Sequence, residues 1–508
     1  MTRSTTGAGP GRAWMRFERA VARVFPQGCN PLAHLGPIAC LLFATLLVSG
    51  IYLFAVFDTS VDGAWKSIDS LSREQTFPGG WLRSLHRYAA DAFMLVTLLH
   101  LIREWLLGRY SHFRRVTWLT GIPLLLFLYV SGIGGFWLNW DRLGQYSAVA
   151  SAELIDALPL LAAPLTRNFV SVGAVSDRLF TLLIFVHIGV ALLLVFGLWF
   201  HLQRIHLPQV LPPRPLTLGL VLTLGLLAAV APVMSQAPAD LATVPTGLEF
   251  DWFLLHLHPL AEASSPALVW LLIAGFVSLL LVLPLRRATP SPPVAVVDPD
   301  NCNGCRRCVD DCPYEAITLE PHPNGRIGRQ LAVVAADRCA SCGICAGACP
   351  SATPFRSGET LASGIDMPQQ TVDLLRSQLQ DALAKSAGER SIIVFGCDHG
   401  ADVASLAGRD VIPFSLLCIG LLPPSFIEYA LRAGAIGVVV SGCTGDACEF
   451  RLGSRWTAER LAGTREPHLR AIVPPERHCT VFADVGDEPA LVAAIETFRA
   501  SVRRWATP

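Results

Sequence analysis

The sequence predicts a multi-domain membrane protein: a six-helix transmembrane bundle, then a cysteine-rich α+β module, then a small parallel α/β domain. Three observations carry this reading. Apolar runs of bilayer-spanning length are confined to the first half of the 508 residues. Thirteen of the 15 cysteines lie beyond residue 300. The last stretch alternates short β-rich runs with helical patterns, the signature of a parallel sheet.

The chain is 52% hydrophobic and only 16% charged, with a mean hydropathy of +0.46. That is too apolar for a water-soluble protein of this length. Six runs meet the requirement of about 20 apolar residues for a span: Gly36–Phe57, Gly80–Leu107, Val116–Trp140, Arg178–Leu202, Leu216–Met234 and Ser265–Leu285. Arg12–Val24, ahead of them, is basic and weakly amphipathic and reads as a surface helix rather than a signal peptide.

Arginines set the expected orientation. Arg12, Arg16, Arg19 and Arg23 precede the first span, Arg109, Arg114 and Arg115 join the second to the third, and Arg204 and Arg214 join the fourth to the fifth. Arg286 and Arg287 follow the sixth, whereas the alternate loops carry few bases. The positive-inside rule therefore places both termini in the cytoplasm, in a multi-pass protein of the inner (cytoplasmic) membrane. A net charge of +0 gives no sign of nucleic-acid binding.

Domain limits follow from these shifts in composition. Residues 1–35 form the N-terminal surface helix and 36–287 the membrane domain. A proline-rich linker, 288–298, leads to the cysteine-rich module at 299–356, a polar connector at 357–390 and the last domain at 391–508.

His86 and His100 are 14 residues apart, as are His187 and His201. Fourteen residues make nearly four helical turns, so each pair faces one way about 21 Å apart. Two such helices face to face would hold two haems, each with two axial imidazoles, which makes the bundle a di-haem bundle. Interhelical hydrogen bonding by four unrelated histidines is the alternative, but a buried membrane histidine is costly without a partner. Gly36 and Gly50, and Gly121 and Gly135, repeat the same interval and offer gaps where a porphyrin edge could meet helix backbone.

Two complete cysteine runs follow the membrane domain: Cys302, Cys305, Cys308, Cys312 and Cys339, Cys342, Cys345, Cys349, each closed by a proline. Their spacing is that of a ferredoxin-like α+β module with two [4Fe–4S] clusters, in which the fourth cysteine of each run serves the other cluster. The sets are Cys302, Cys305, Cys308 with Cys349, and Cys339, Cys342, Cys345 with Cys312. Zinc is the alternative occupant. Cys397, Cys418, Cys443 and Cys448 lie in the last domain, three of them after strand-like runs, where the strand ends of a parallel sheet gather loops at one edge. Four thiolates suffice for a [2Fe–2S] cluster; scattered structural cysteines would give the same spacing. Cys29, Cys40 and Cys479 read as ordinary thiols.

The histidine pattern resembles the N-terminal part of cytochrome b from quinol-oxidising bc-type complexes, over roughly Gly36–Arg287. The resemblance implies that His86 pairs with His187 near the outer face and His100 with His201 near the cytoplasmic face. It implies that Arg83 and Arg103 pair with haem propionates; snorkelling at the interface is the other reading. His206, five residues beyond His201, matches the family's inner quinone histidine, or is a loop histidine at the membrane surface. Phe250-Asp251-Trp252-Phe253 resembles the family's outer Pro-Glu-Trp-Tyr element, with phenylalanine for proline and aspartate for glutamate; Trp252 also suits an interfacial anchor.

The segment Gly442-Cys443-Thr444-Gly445-Asp446-Ala447-Cys448-Glu449-Phe450 resembles the delta subunit of methyl-viologen-reducing hydrogenases, over about Ser391–Arg504. That resemblance implies a [2Fe–2S] carrier that docks on flavoprotein partners. Family members commonly carry a further cysteine where this chain has Gly400.

These modules together predict an electron-transfer subunit of a quinone-linked oxidoreductase. A soluble flavoprotein or a hydrogenase- or heterodisulfide-reductase-like partner would supply electrons through the clusters to the b haems and the quinone pool. Two alternatives stay open: quinol oxidation driving a low-potential soluble acceptor, and a non-enzymatic redox sensor. No dinucleotide fingerprint or P-loop is present, so flavin or hydrogenase chemistry belongs to another subunit. A homodimer is expected by analogy with cytochrome b.

Overall fold

A computed structural model describes residues 9–26, 28–158, 164–171, 173–285, 292–324, 328–386, 390–408 and 410–505. Arg286, Arg287 and the start of the linker lie outside the described residues.

The first half is helical: α1 (Gly9–Ala22), α2 (Leu35–Val56), α3 (Ala64–Arg73), α4 (Trp81–Leu106), α5 (Arg115–Asn139), α6 (Arg142–Asp156), α7 (Leu165–Phe169), α8 (Asp177–Leu202), α9 (Arg214–Val230), α10 (Leu257–Ala263) and α11 (Pro266–Val282). Each expected span has a helix. Among the described residues, four stretches are long and apolar enough to cross a membrane by themselves: those holding α2, α5, α8 and α11. The helix α4 carries Arg83, Arg87, Asp91, Arg103 and Glu104. The helix α9 is shorter than its apolar run, because Pro232 cannot continue it and Ala231 before it leaves the helical conformation. Large apolar side chains such as Phe185, Leu192, Phe196, Leu222 and Leu271 point outward, as lipid-facing residues do and water-facing ones rarely do.

Along their lengths α2 packs on α4 and α5 on α8. The expected surface helix α1 buries only Gly11 and is tied down at two points along its length. Gly11 sits against the Leu106 carbonyl, and Glu18 meets Arg103 at 2.5 Å. Arg19 reaches Gly486 in the last domain.

The cysteine-rich module contains β1 (Val296–Val297), α12 (Arg307–Asp310), β2 (Ile317–Pro321), β3 (Gln330–Val334), α13 (Ile344–Ala348) and β4 (Ile365–Asp366). β2 and β3 form an antiparallel hairpin, and β1 pairs with β4. The two cysteine runs wind alike. Gly304 and Ser341, then Arg306 and Gly343, take equivalent places, and all four have positive φ, between 59° and 77°. These left-handed residues turn the chain back so that successive thiols converge.

The connector helix α14 (Val372–Lys385) leads to a four-stranded parallel sheet ordered β6-β5-β7-β8: β5 (Ile392–Cys397), β6 (Val411–Leu416), β7 (Gly437–Gly442) and β8 (His478–Phe482). Helices α15 (Ser425–Arg432), α16 (Gly453–Leu461) and α17 (Glu488–Trp505) complete it. β5 and β7 are buried throughout. Covered on both faces, they read as continuous apolar runs instead of alternating ones.

Candidate redox sites

In the membrane half, α4 and α8 bring His86 and His187 face to face, ring centroids 6.5 Å apart. Two imidazole–metal bonds of about 2 Å each, with the ring radii, fill such a gap. His100 and His201 lie within electrostatic range of each other on the same two helices. Each interval glycine faces one ring rather than open space. A Cβ on Gly50 would stand 3.3 Å from His86 Cε1, and one on Gly121 would stand 3.4 Å from His201 Cε1. For Gly135 and His187 the distance is 3.7 Å, and for Gly36 and His100 it is 3.8 Å.

Hydroxyl groups next to the glycines fix the tautomers. Ser49 Oγ donates to the Thr45 carbonyl at 2.7 Å, so it accepts from His86 Nδ1 at 2.9 Å. Thr120 Oγ1 likewise donates to the Thr117 carbonyl and lies 3.1 Å from His201 Nδ1. His187 Nδ1 faces the Ser131 carbonyl at 3.1 Å. With Nδ1 as donor, each of these imidazoles keeps Nε2 free, the state an axial ligand needs. These residues therefore fit haem. Ser49 and Thr120, each just before an interval glycine, escaped the sequence reading; the hydroxyl–glycine pair was the signal.

The two arginines expected at haem propionates have protein partners. Buried Arg83 donates to the Ile68 carbonyl, Ser72 Oγ, Asn139 Oδ1 and Ser235 Oγ at 2.8–3.2 Å. Arg103 pairs with Glu18 at 2.5 Å and Glu104 at 3.0 Å.

The quinone-site candidates separate. His206 lies where three parts of the chain meet: its backbone N–H donates to the Pro313 carbonyl at 3.0 Å, its ring is 3.7 Å from Glu315 and it packs on Trp456. Asp251 is occupied structurally. One oxygen accepts from the Phe253 and Leu254 backbone N–H groups at 2.9 and 2.8 Å, and the other pairs with Arg87. Trp252 is 71% exposed, as an interfacial anchor would be.

Beyond the membrane half, the cysteine runs exchange members as their spacing anticipates. Cys302, Cys305, Cys308 and Cys349 line one cavity, and Cys312, Cys339, Cys342 and Cys345 line a second. Among the described residues no three His, Cys, Asp or Glu side chains close to single-ion spacing. Burial, reinforced by the neighbouring thiols, pushes the Cys308 thiol up to about 12; a cluster's iron must hold such a group as thiolate.

In the last domain, Cys397 and Cys443 flank the point where strand order reverses between β5 and β7, their sulfurs 3.6 Å apart. Loops gather at such switch points. Cys418 and Cys443 donate to Cys397 and hold its thiol well below the usual range, while their own rise. Gly453, at the start of α16, lies between the other members: an added Cβ would be 2.4 Å from Cys418 Sγ and 3.9 Å from Cys448 Sγ. All four cysteines are buried. Gly400 is forced by space, since a Cβ there would come 2.9 Å from the Ala483 carbonyl.

The loop carrying Cys448 is fastened to the membrane half. Glu449 pairs with Arg109 at 2.7 Å and Arg114 at 2.6 Å. Burial alone would raise its carboxyl, but the two arginines outweigh burial and hold it below the usual carboxylate range. Arg451 donates to the carbonyls of His206 and Leu207 at 3.0 and 3.1 Å.

Comparison with known proteins follows this layout. Residues 21–208 match the family described as Cytochrome b/b6/petB, 301–353 the 4Fe-4S dicluster domain, and 392–505 the methyl-viologen-reducing hydrogenase delta subunit. The first match stops short of α9 and of Asp251-Trp252, which the expected cytochrome b-like region included. Cytochrome b6 of Prochlorothrix hollandica is 32% identical over 170 residues, covering 32% of this chain and 76% of that protein. A solved chain of a Hyperthermophilic respiratory Complex III is similar at 19% identity and a TM-score of 0.42, covering 54% of this chain and 82% of that one.

Proposed function

Because the chain belongs to the cytochrome b/b6 family through its N-terminal part, we propose that it is the membrane-bound electron-transfer subunit of a quinone-linked oxidoreductase. It is an integral membrane protein of electron transport, with haem-binding and iron–sulfur domains joined in one chain. In the proposed direction, electrons from a soluble flavoprotein or hydrogenase-type partner enter through the iron–sulfur domains and leave to the quinone pool. When bound, two b haems, two [4Fe–4S] clusters and one [2Fe–2S] cluster supply one-electron carriage.

The residues divide the work. His86 with His187, and His100 with His201, hold the haems, and Ser49, Thr120 and the Ser131 carbonyl orient three of those rings. The ligand sets are Cys302, Cys305, Cys308 and Cys349; Cys312, Cys339, Cys342 and Cys345; and Cys397, Cys418, Cys443 and Cys448. His206 is the candidate for proton exchange with quinone at the cytoplasmic face. Asp251 already carries an ion pair and two backbone hydrogen bonds, which weighs against the reverse reading of quinol oxidation at the outer face.

One observation carries the proposal: the His206 N–H to Pro313 carbonyl bond joins the segment after His201 to the residue after Cys312. The soluble cysteine sites are thereby seated at the end of the helix that bears the inner histidine. The test places the full chain, with its cofactors, in lipid nanodiscs with reduced methyl viologen and a soluble quinone analogue. Reduction of b haem followed by quinol formation is expected; quinone left oxidised while clusters are reduced contradicts the proposal.

A further inference from the structure

A simple wire would place the two ferredoxin-type cavities in series between the last domain and the membrane. Their surroundings differ too much for that. The walls of the Cys312, Cys339, Cys342, Cys345 cavity include Pro313, Tyr314 and Ile344. Tyr314 lies 4.6 Å from Phe113, in the loop between α4 and α5, and Pro313 accepts from His206. Ile344 shares one buried cluster with Cys418, Phe450 and Trp456 of the last domain. A Cβ on Gly343 would come 2.4 Å from Leu421, three residues past Cys418. This cavity therefore touches both the membrane half and the last cysteine set.

The Cys302, Cys305, Cys308, Cys349 cavity has no wall residue from the membrane half or the last domain, although Cys302 and Cys308 share a buried cluster with Cys397 and Cys443. Its walls come wholly from residues 301–365, including Asn303, Arg306, Leu319 and Gly364. Cys305 is exposed, unlike the buried Cys342 and Cys345 of the other cavity. Arg306, on its rim, has a side chain 68% exposed and is paired with Asp310 at 3.1 Å.

We propose that the Cys302, Cys305, Cys308, Cys349 site is a second electron input, open to solvent. It takes single electrons from a soluble one-electron carrier and delivers them to the Cys312, Cys339, Cys342, Cys345 site, where electrons from the last domain also arrive. The inference rests on the proposed function and makes the two inputs parallel. Each transfer moves one electron and no atom: the carrier is oxidised by one electron as the site is reduced by one, and the site is re-oxidised as that electron passes on. The net change is one carrier oxidised and one downstream haem iron taken from ferric to ferrous.

The test uses the full chain in nanodiscs, mixed with reduced methyl viologen, with haem followed by absorbance and clusters by freeze-quench EPR. Parallel inputs add. Cys305→Ala alone and Cys397→Ala alone should each slow haem reduction about twofold, and the double variant by at least roughly tenfold. EPR of the remaining clusters verifies that each variant is otherwise loaded. A tenfold loss from Cys305→Ala alone would mean a series wire and overturn the inference. A double variant as fast as the singles would mean that neither site is an input, and would also overturn it. Haem that stays ferric in the unaltered chain while its clusters are reduced contradicts the proposed function itself, and this inference with it. A second variant spares every cysteine. In the Cys397→Ala chain, Arg306→Glu should speed entry of the cationic viologen about twofold at low salt and lose the effect at high salt. A rate indifferent to that charge overturns the port.

Discussion

Glu449 and Arg114 are 335 residues apart in sequence and 2.6 Å apart in space. Glu449 directly follows Cys448, and Arg114 opens the segment leading into α5, so the pair fastens a cluster-ligand loop to the membrane half. Arg109 takes the other carboxylate oxygen, and Glu104, 3.8 Å from Arg109, continues the chain of charges into the last turn of α4, one turn beyond His100.

Removing that carboxylate leaves two arginines facing each other at a buried interface, a change that typically costs about 3–5 kcal/mol. Glu449→Gln should leave haem and cluster contents intact and slow cluster-to-haem transfer about tenfold. Stopped-flow absorbance checks this, with Glu449→Asp expected to recover part of the rate.

Gly50 admits no side chain without moving His86. Gly50→Val should remove haem from the His86–His187 site and spare the other, halving haem per protein in a pyridine haemochrome assay. Overpacking of this kind costs about 1–3 kcal/mol. Full haem content with an unchanged spectrum would contradict the assignment.

Gly453 plays the corresponding part for the last cysteine set. Gly453→Ala drives a methyl group against Cys418 Sγ and should abolish the [2Fe–2S] EPR signal while the [4Fe–4S] signals persist. A normal signal would mean that Cys418 is not a ligand.

Asp251→Asn separates structural from catalytic use of the carboxylate. Loss of the Arg87 pair and weakening of the two backbone hydrogen bonds should cost about 1–3 kcal/mol, read as a lower Tm. Quinone reduction should fall less than about twofold. Abolished quinol oxidation would instead revive the reverse direction.

Local periodicity made much of this legible. The intervals between His86 and His100 and between His187 and His201 depend only on helical pitch, and the two cysteine runs only on tight turns. What stayed hidden depends on contacts distant in sequence. Arg83 and Arg103, which the resemblance pairs with haem propionates, also meet Ser235 and Glu18, partners that no local pattern announces. The role of α1 as a strut between α4 and the last domain needs Gly486, and the tightness at Gly453 needs Cys418. The unequal settings of the two ferredoxin-type cavities cannot be read from runs that are nearly identical in spacing. The run Leu216–Met234 was long enough on paper, but Pro232 cuts its helix short.

The most direct test of the electron-transfer account is a potentiometric titration of the purified chain, with haem absorbance and cluster EPR recorded on the same samples. The account predicts two b-haem transitions, with the clusters titrating at lower potential than either, so that electrons run downhill toward quinone. Fewer than two haem transitions, or clusters titrating above the haems, would contradict it.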